Sequence, residues 1–153
     1  MDNIGSKTFV LAGIVMKRVL SGEQTAGQFC LFENRSDGNT STPIHVHARD
    51  DETVYVMEGE LTAVTDGQPR CLTMGESIFM PRGIPHQLVN MTGKPCRYIL
   101  VGTPAHFDQF LEAAGHELQP NEAVGSPTRE EVERLRDAAP AFGITLLPDW
   151  PSR

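Results

Sequence analysis

Between Val15 and Val101 the apolar residues come in short runs, broken by turn residues at a spacing of roughly 8–12. Val15 to Leu20 is followed by Ser21-Gly22-Glu23 and Ala26-Gly27, then by Gln28 to Phe32. A polar stretch runs from Glu33 to Thr42 and holds Ser36-Asp37-Gly38. Thr53–Met57 and Leu61–Thr65 flank Glu58-Gly59-Glu60, and Asp66-Gly67 is a tight-turn dipeptide. Ser77–Met80 lies between Gly75 and Pro81-Arg82-Gly83, and Gln87–Met91 is separated from Arg97–Val101 by Thr92-Gly93-Lys94-Pro95. Many short strands at this spacing predict a β-sandwich or barrel. The earlier apolar run, Phe9 to Met16, reads as a core strand or its approach. It is far too short to span a bilayer. Lys17 and Arg18 follow it with no small-residue cleavage site, so a signal peptide is not expected.

After Gly102 the period changes. Thr103-Pro104 predicts a helix start with proline in the first turn. Phe107, Phe110, Leu111 and Ala114 share one helical face, and Gly115 can end the helix. That face serves either plain core packing or closure of the barrel mouth over an aromatic substrate. Thr128 and Glu131 have the spacing of a capping box, followed by the stripe Val132, Leu135, Ala138 and Ala139. Ile144 to Leu147 predicts a short returning strand. No repeat or linker divides the chain, so one domain over residues 1–153 is expected, with a barrel core at about 15–101 and helices at about 103–139.

Composition changes this picture little. The 14 glycines and 11 prolines agree with a turn-rich chain, and 39% hydrophobic with 22% charged residues is ordinary for a globular domain. The net charge of −7 argues against nucleic-acid partners. No membrane association is expected, and no helix-turn-helix pattern is evident. Cys30, Cys71 and Cys96 are odd in number and form no C-x-x-C pair, which predicts buried structural thiols and a reducing, cytoplasmic setting.

Candidate chemistry lies in the β region. His45-Val46-His47 is a period-2 pair, so both imidazoles leave the same face of a strand. Glu52 follows across the bend Ala48–Asp51, and His86 follows the stiff loop Pro81-Arg82-Gly83-Ile84-Pro85. Three imidazoles and a carboxylate suit one divalent transition metal: Fe, Mn, Ni, Co or Zn. An H-x-H pair alone is common in strands that bind nothing, but its surroundings are ordered. Six residues separate Gly38 from His45 and six separate Glu52 from Gly59, and the second stretch reads Gly75-x5-Pro81-x-Gly83-x2-His86-x3-Asn90.

These two stretches resemble the two motifs of the cupin superfamily, G-x5-H-x-H-x3,4-E-x6-G and G-x5-P-x-G-x2-H-x3-N. The second agrees at every fixed position, and the first carries one extra residue between Gly38 and His45. The resemblance implies an all-β fold, an antiparallel jelly-roll barrel with a C-terminal helical extension. It also implies His45, His47, Glu52 and His86 as ligands of one metal. Among single-domain cupins the wording Thr42–His47, Glu52–Glu60 and Met80–His86 is most similar to the quercetinase-like group. That likeness implies O₂-dependent opening of a flavonol or similar enolic small molecule. In that case Glu52 is either the catalytic base or only a ligand. An isomerase, lyase or decarboxylase with the same metal, or a non-catalytic small-molecule binder, are the alternatives. A homodimer is expected from the resemblance alone. If Glu52 faces inward, Val54 and Val56 do too and Tyr55 faces out. Leu88 and Asn90 share the parity of His86 and, with Phe107 and Phe110, are candidate substrate contacts. His106 and His116 are expected to be solvated.

Overall fold

The apolar run near the start is a hairpin and not one strand. In the computed structural model, which describes residues 6–147, Thr8–Leu11 (β1) turns back through Ala12 and Gly13 into Ile14–Leu20 (β2). Both turn residues have positive φ, the backbone twist that a two-residue hairpin loop needs. The barrel therefore begins seven residues before the expected Val15, at Thr8. The remaining strands are Cys30–Ser36 (β3), Thr40–Ser41 (β4), His45–His47 (β5), Asp51–Glu58 (β6), Glu60–Thr65 (β7), Gln68–Thr73 (β8), Ser77–Met80 (β9), His86–Asn90 (β10) and Cys96–Thr103 (β11). Most follow the predicted runs, but β3 continues to Ser36 and β4 lies within the stretch that reads as a polar turn, and β8 is too polar to read as a strand. Asp66 and Gly67 both have positive φ and join β7 to β8.

The strands build two antiparallel sheets. One has the order β1-β2-β3-β11-β6-β9, extended past β1 by the short His116–Glu117 (β12). The other is β5-β10-β7-β8, with β4 also paired to β10 and Ile144–Leu146 (β13) added beside β5. Phe32, Val54, Val56, Leu61, Ala63, Leu72 and Leu100, drawn from both sheets, form one core. The alternation is strict in β11, where every second residue is buried from Cys96 to Gly102. This arrangement is the all-β jelly roll that the sequence predicts.

The helices differ from expectation at one boundary. Thr103 still pairs with Asp51 at the end of β11, and the first helix, Phe107–Ala114 (α1), starts three residues after Pro104. A residue before proline is held extended, which favours the strand over the helix at Thr103. The buried Asp108 carboxylate accepts a hydrogen bond from Gly22 N–H at 2.7 Å, tying α1 to the turn after β2. The second helix, Arg129–Ala138 (α2), opens with the predicted capping box of Thr128 and Glu131. It leads through a 3₁₀ turn, Ala139–Phe142, into β13. Phe107, Phe110 and Leu135 pack inward and close one end of the barrel. Cys30 and Cys96 are buried as expected, but Cys71 is exposed. Leu72 takes the inward position of β8, which turns its neighbour Cys71 to solvent.

Gly59, between β6 and β7, shows how tightly the motif glycines are held. Its φ is +76°, and a Cβ there would lie 2.5 Å from the Pro95 carbonyl oxygen. A Gly59→Ala variant therefore combines backbone strain with a clash against main chain. We expect a loss of about 2–3 kcal/mol, read as a fall in Tm of about 5–10 °C.

Candidate metal centre

The H-x-H pair occupies β5, and the fold brings its partners to it by strand pairing. His45 is the direct cross-strand partner of His86 on β10. Glu52 opens β6 and lies opposite Gly102 of β11 and Met80 of β9. The loop that presents His86 is pinned to the H-x-H strand, since Gly83 N–H donates to the His47 carbonyl at 2.8 Å. On its other side β5 is braced by β13, in which Ile144 pairs with His47 and Leu146 with His45. The predicted returning strand thus supports the ligand strand.

One potential ligand atom from each of His45, His47, Glu52 and His86 lies within 4.8 Å of the other three. His47 and Glu52 are only 1% and 4% exposed, and His86 is equally buried. His45 is half-buried. In all three imidazoles Nδ1 is engaged: His45 with the Pro43 carbonyl at 2.6 Å, His86 with the Ile84 carbonyl at 3.1 Å, and His47 with both Asp50 oxygens at 3.1 Å. Carbonyl and carboxylate oxygens accept, so Nδ1 carries the proton and donates in each case. That leaves the lone pair of each Nε2 for the common centre. The same outer hydrogen bonds orient histidine ligands in metal sites generally.

The unpaired atoms fit a cation. His47 Nε2 is buried and has no hydrogen-bond partner. It stands 3.6 Å from Glu52 Oε1, while His86 Nε2 is 2.9 Å from Glu52 Oε2. Two lone pairs facing each other at 2.9 Å need a proton or a cation between them. Burial alone would raise the Glu52 pKa, but the imidazoles of His47, His86 and His45 outweigh it and hold the carboxyl far below the ordinary range. Burial, with the neighbouring His86 and His47, pushes His45 down to about 3, so it is a neutral imidazole. Burial opposes charge on His47 too, yet Glu52 and Asp50 overcome it and raise its pKa. An anionic carboxylate among imidazoles with inward-facing Nε2 atoms is a donor set that could hold one divalent metal ion.

Asp50 was not singled out by the sequence, where it sits within the polar bend Ala48–Asp51. It is buried, and its carboxylate fixes the ring of His47. The available signal was its position three residues after His47 on a turn. An Asp50→Asn variant keeps the shape and weakens the acceptor. We expect metal affinity to fall 10–100-fold, measured by competition with a chelating dye.

Beside the centre lies a small cavity of ≈ 50 Å³. His45, His47 and Glu52 face it, with apolar walls from Leu88, Leu100, Phe107, Phe110 and Ile144. Of the candidate substrate contacts, Leu88, Phe107 and Phe110 line this cavity. Phe107 also packs edge-on to Phe32, so that helical face both fills the core and lines the cavity. Asn90 is a correction. It is buried with the parity of His86 but outside the cavity. Its amide donates to Ser36 Oγ and the Lys94 carbonyl and accepts from Thr92 N–H and Oγ. All of its capacity is used in holding the turn after β10. Tyr55 faces out at 47% exposure, with Val54 and Val56 buried, as the parity requires. His106 is exposed, whereas His116 is half-buried and bonded to Glu122 at 2.6 Å. Neither approaches the centre.

Residues 32–102, a little under half of the chain, match the cupin domain family. The chain is 33% identical over 95 residues to the HTH-type transcriptional regulator PuuR of Escherichia coli (strain K12), covering 62% of this chain and 51% of that protein. It is 26% identical over 139 residues to the quercetin 2,3-dioxygenase of Bacillus subtilis (strain 168), covering 90% of this chain and 41% of that protein. The chain thus spans about half or less of the length of these curated relatives. Among solved structures it is similar to the polyketide cyclase RemF from Streptomyces resistomycificus, with 25% identity, a TM-score of 0.58, and coverage of 80% of this chain and 88% of that one. Both sequence motifs, the jelly roll that brings them together and the match over residues 32–102 lead to one conclusion: this part of the chain forms a cupin domain.

Proposed function

We propose that this chain is a metal-dependent dioxygenase of the quercetinase-like type, opening a flavonol or a similar flat enolic molecule with O₂. The observation that carries the reading is the position of Glu52. Among the residues that line the cavity it is the only carboxylate, placed where the apolar walls meet the His45–His47 face. The likeness to the Bacillus subtilis quercetin 2,3-dioxygenase over 90% of this chain supports it.

His45, His47, Glu52 and His86 would hold the metal. When bound, it would supply a Lewis acid that acidifies a substrate hydroxyl, with open positions for small ligands. Glu52 then accepts the enol proton on a carboxylate oxygen. Phe107 and Phe110 pack on the flat face of the substrate, and Leu88, Leu100 and Ile144 exclude bulk water.

The likeness to RemF supports a second reading, in which the same residues serve an O₂-independent ring-forming or isomerising step on an aromatic polyketide. Oxygen-electrode traces with the metal-loaded protein and a panel of flavonols separate the two. The dioxygenase reading predicts O₂ consumption stoichiometric with flavonol loss. Flavonol turnover without O₂ uptake would favour the second reading.

A further inference from the structure

β3 and β11 run side by side through the cavity wall, and their inward residues form layers. Cys30 pairs with Gly102, Phe32 with Leu100, and Asn34 with Tyr98. Glu52 is opposite Gly102, so the Asn34–Tyr98 layer lies two inward positions further along the barrel. Four residues of strand amount to about 13 Å.

Asn34 is the anomaly of this far end. It is 0% exposed and lines the cavity, its Oδ1 and Nδ2 have no well-aligned hydrogen-bond partner, and the polar group its amide faces is the Tyr98 hydroxyl. Its neighbours on the wall are Leu11, Ile14, Met16 and Leu100. Tyr98 stands across from it on β11. Burial raises the Tyr98 pKa well above the ordinary value, and an amide N–H of Asn34 directed at its oxygen only partly offsets this, so the phenol keeps its own proton to donate. An unpaired buried amide is destabilising, and such groups persist where a ligand completes them. Asn90, equally buried, shows the contrast, with every polar atom of its amide satisfied within the fold.

We propose that Asn34 is the specificity-determining residue of the cavity: its amide hydrogen-bonds a hydroxyl or carbonyl carried by the substrate at the end away from the His45/His47/Glu52/His86 cluster. The proposal rests on the flavonol reading above and narrows it to flavonols and related enols whose distal ring bears a polar substituent. Tyr98 offers the second hydrogen bond to the same substituent.

The test is calorimetric titration of the metal-loaded full chain without O₂. The probes are 3-hydroxyflavone and 3,4′-dihydroxyflavone, which differ only in the distal hydroxyl. Wild type is expected to bind the dihydroxy compound at least tenfold more tightly. Asn34→Leu, close to asparagine in shape, is expected to bring the two affinities within about twofold and to leave that for 3-hydroxyflavone nearly unchanged. Without ligand it is expected to raise Tm by about 2–4 °C, because an unpaired polar group has gone. Asn34→Ala repeats the affinity comparison with a smaller side chain. Equal wild-type affinities, or a preference that survives in both variants, overturns the proposal and leaves the flavonol reading standing. A lower Tm or failure to fold in both variants makes Asn34 a structural residue and overturns it as well. Failure of wild type to bind either flavonol overturns the flavonol reading and the proposal together.

Discussion

Replacing His47 by Ala is expected to weaken metal binding by about two orders of magnitude. Four-ligand zinc sites bind with roughly 10–16 kcal/mol, so one ligand accounts for about 3 kcal/mol. His47 is the most informative of the four because its Nε2 has no other partner and its Nδ1 is held by Asp50. The variant removes a ligand and also strands the buried Asp50 carboxylate. A second effect is thus expected in the metal-free protein, a loss of about 3 kcal/mol from an uncompensated buried charge. Chelator competition reads the first and thermal unfolding of the stripped protein reads the second. Unchanged affinity in His47→Ala would remove His47 from the ligand set.

Replacing Glu52 by Gln is expected to lower turnover by about 10²–10⁴-fold, the range for loss of a positioned base. Glutamine fills the same space and still reaches His86, but it cannot take a proton at neutral pH. The variant will also hold metal less tightly, since it loses the only anionic ligand. Turnover is therefore compared at full metal occupancy, with excess metal present during the assay. A deep loss of rate under those conditions assigns proton transfer to Glu52. A wild-type rate at full occupancy would leave it the role of ligand and charge balance only.

Much of this was legible in the sequence, for reasons that are local. Period-2 alternation fixes which side of a strand a residue leaves, so Val54, Val56 and Tyr55 fell where parity put them. The ligand positions were legible because H-x-H is itself a parity statement and because the Gly/Pro frame around His86 is strict. The capping box of α2 was equally local. The misreadings involve competition or distance. Pro104 is a fair helix starter, but the pairing of Thr103 with Asp51 prolongs the strand before it. Asn90 has the parity of a cavity residue, yet parity does not say how far along the barrel the cavity reaches, and Asn90 lies beyond it. Asp50 and Asn34 went unnoticed because their roles depend on what they face across the fold. One is a charge in a polar bend, the other a polar residue in a stretch that reads as a turn.

The most direct test of the metal centre is a crystal structure with anomalous data collected at the absorption edge of the metal found by elemental analysis. The geometry predicts one strong peak per chain, about 2.0–2.2 Å from Nε2 of His45, His47 and His86 and from a Glu52 carboxylate oxygen. A fully occupied metal bound elsewhere, or a protein exposed to all five candidate metals that shows no peak among these four side chains, would contradict the account.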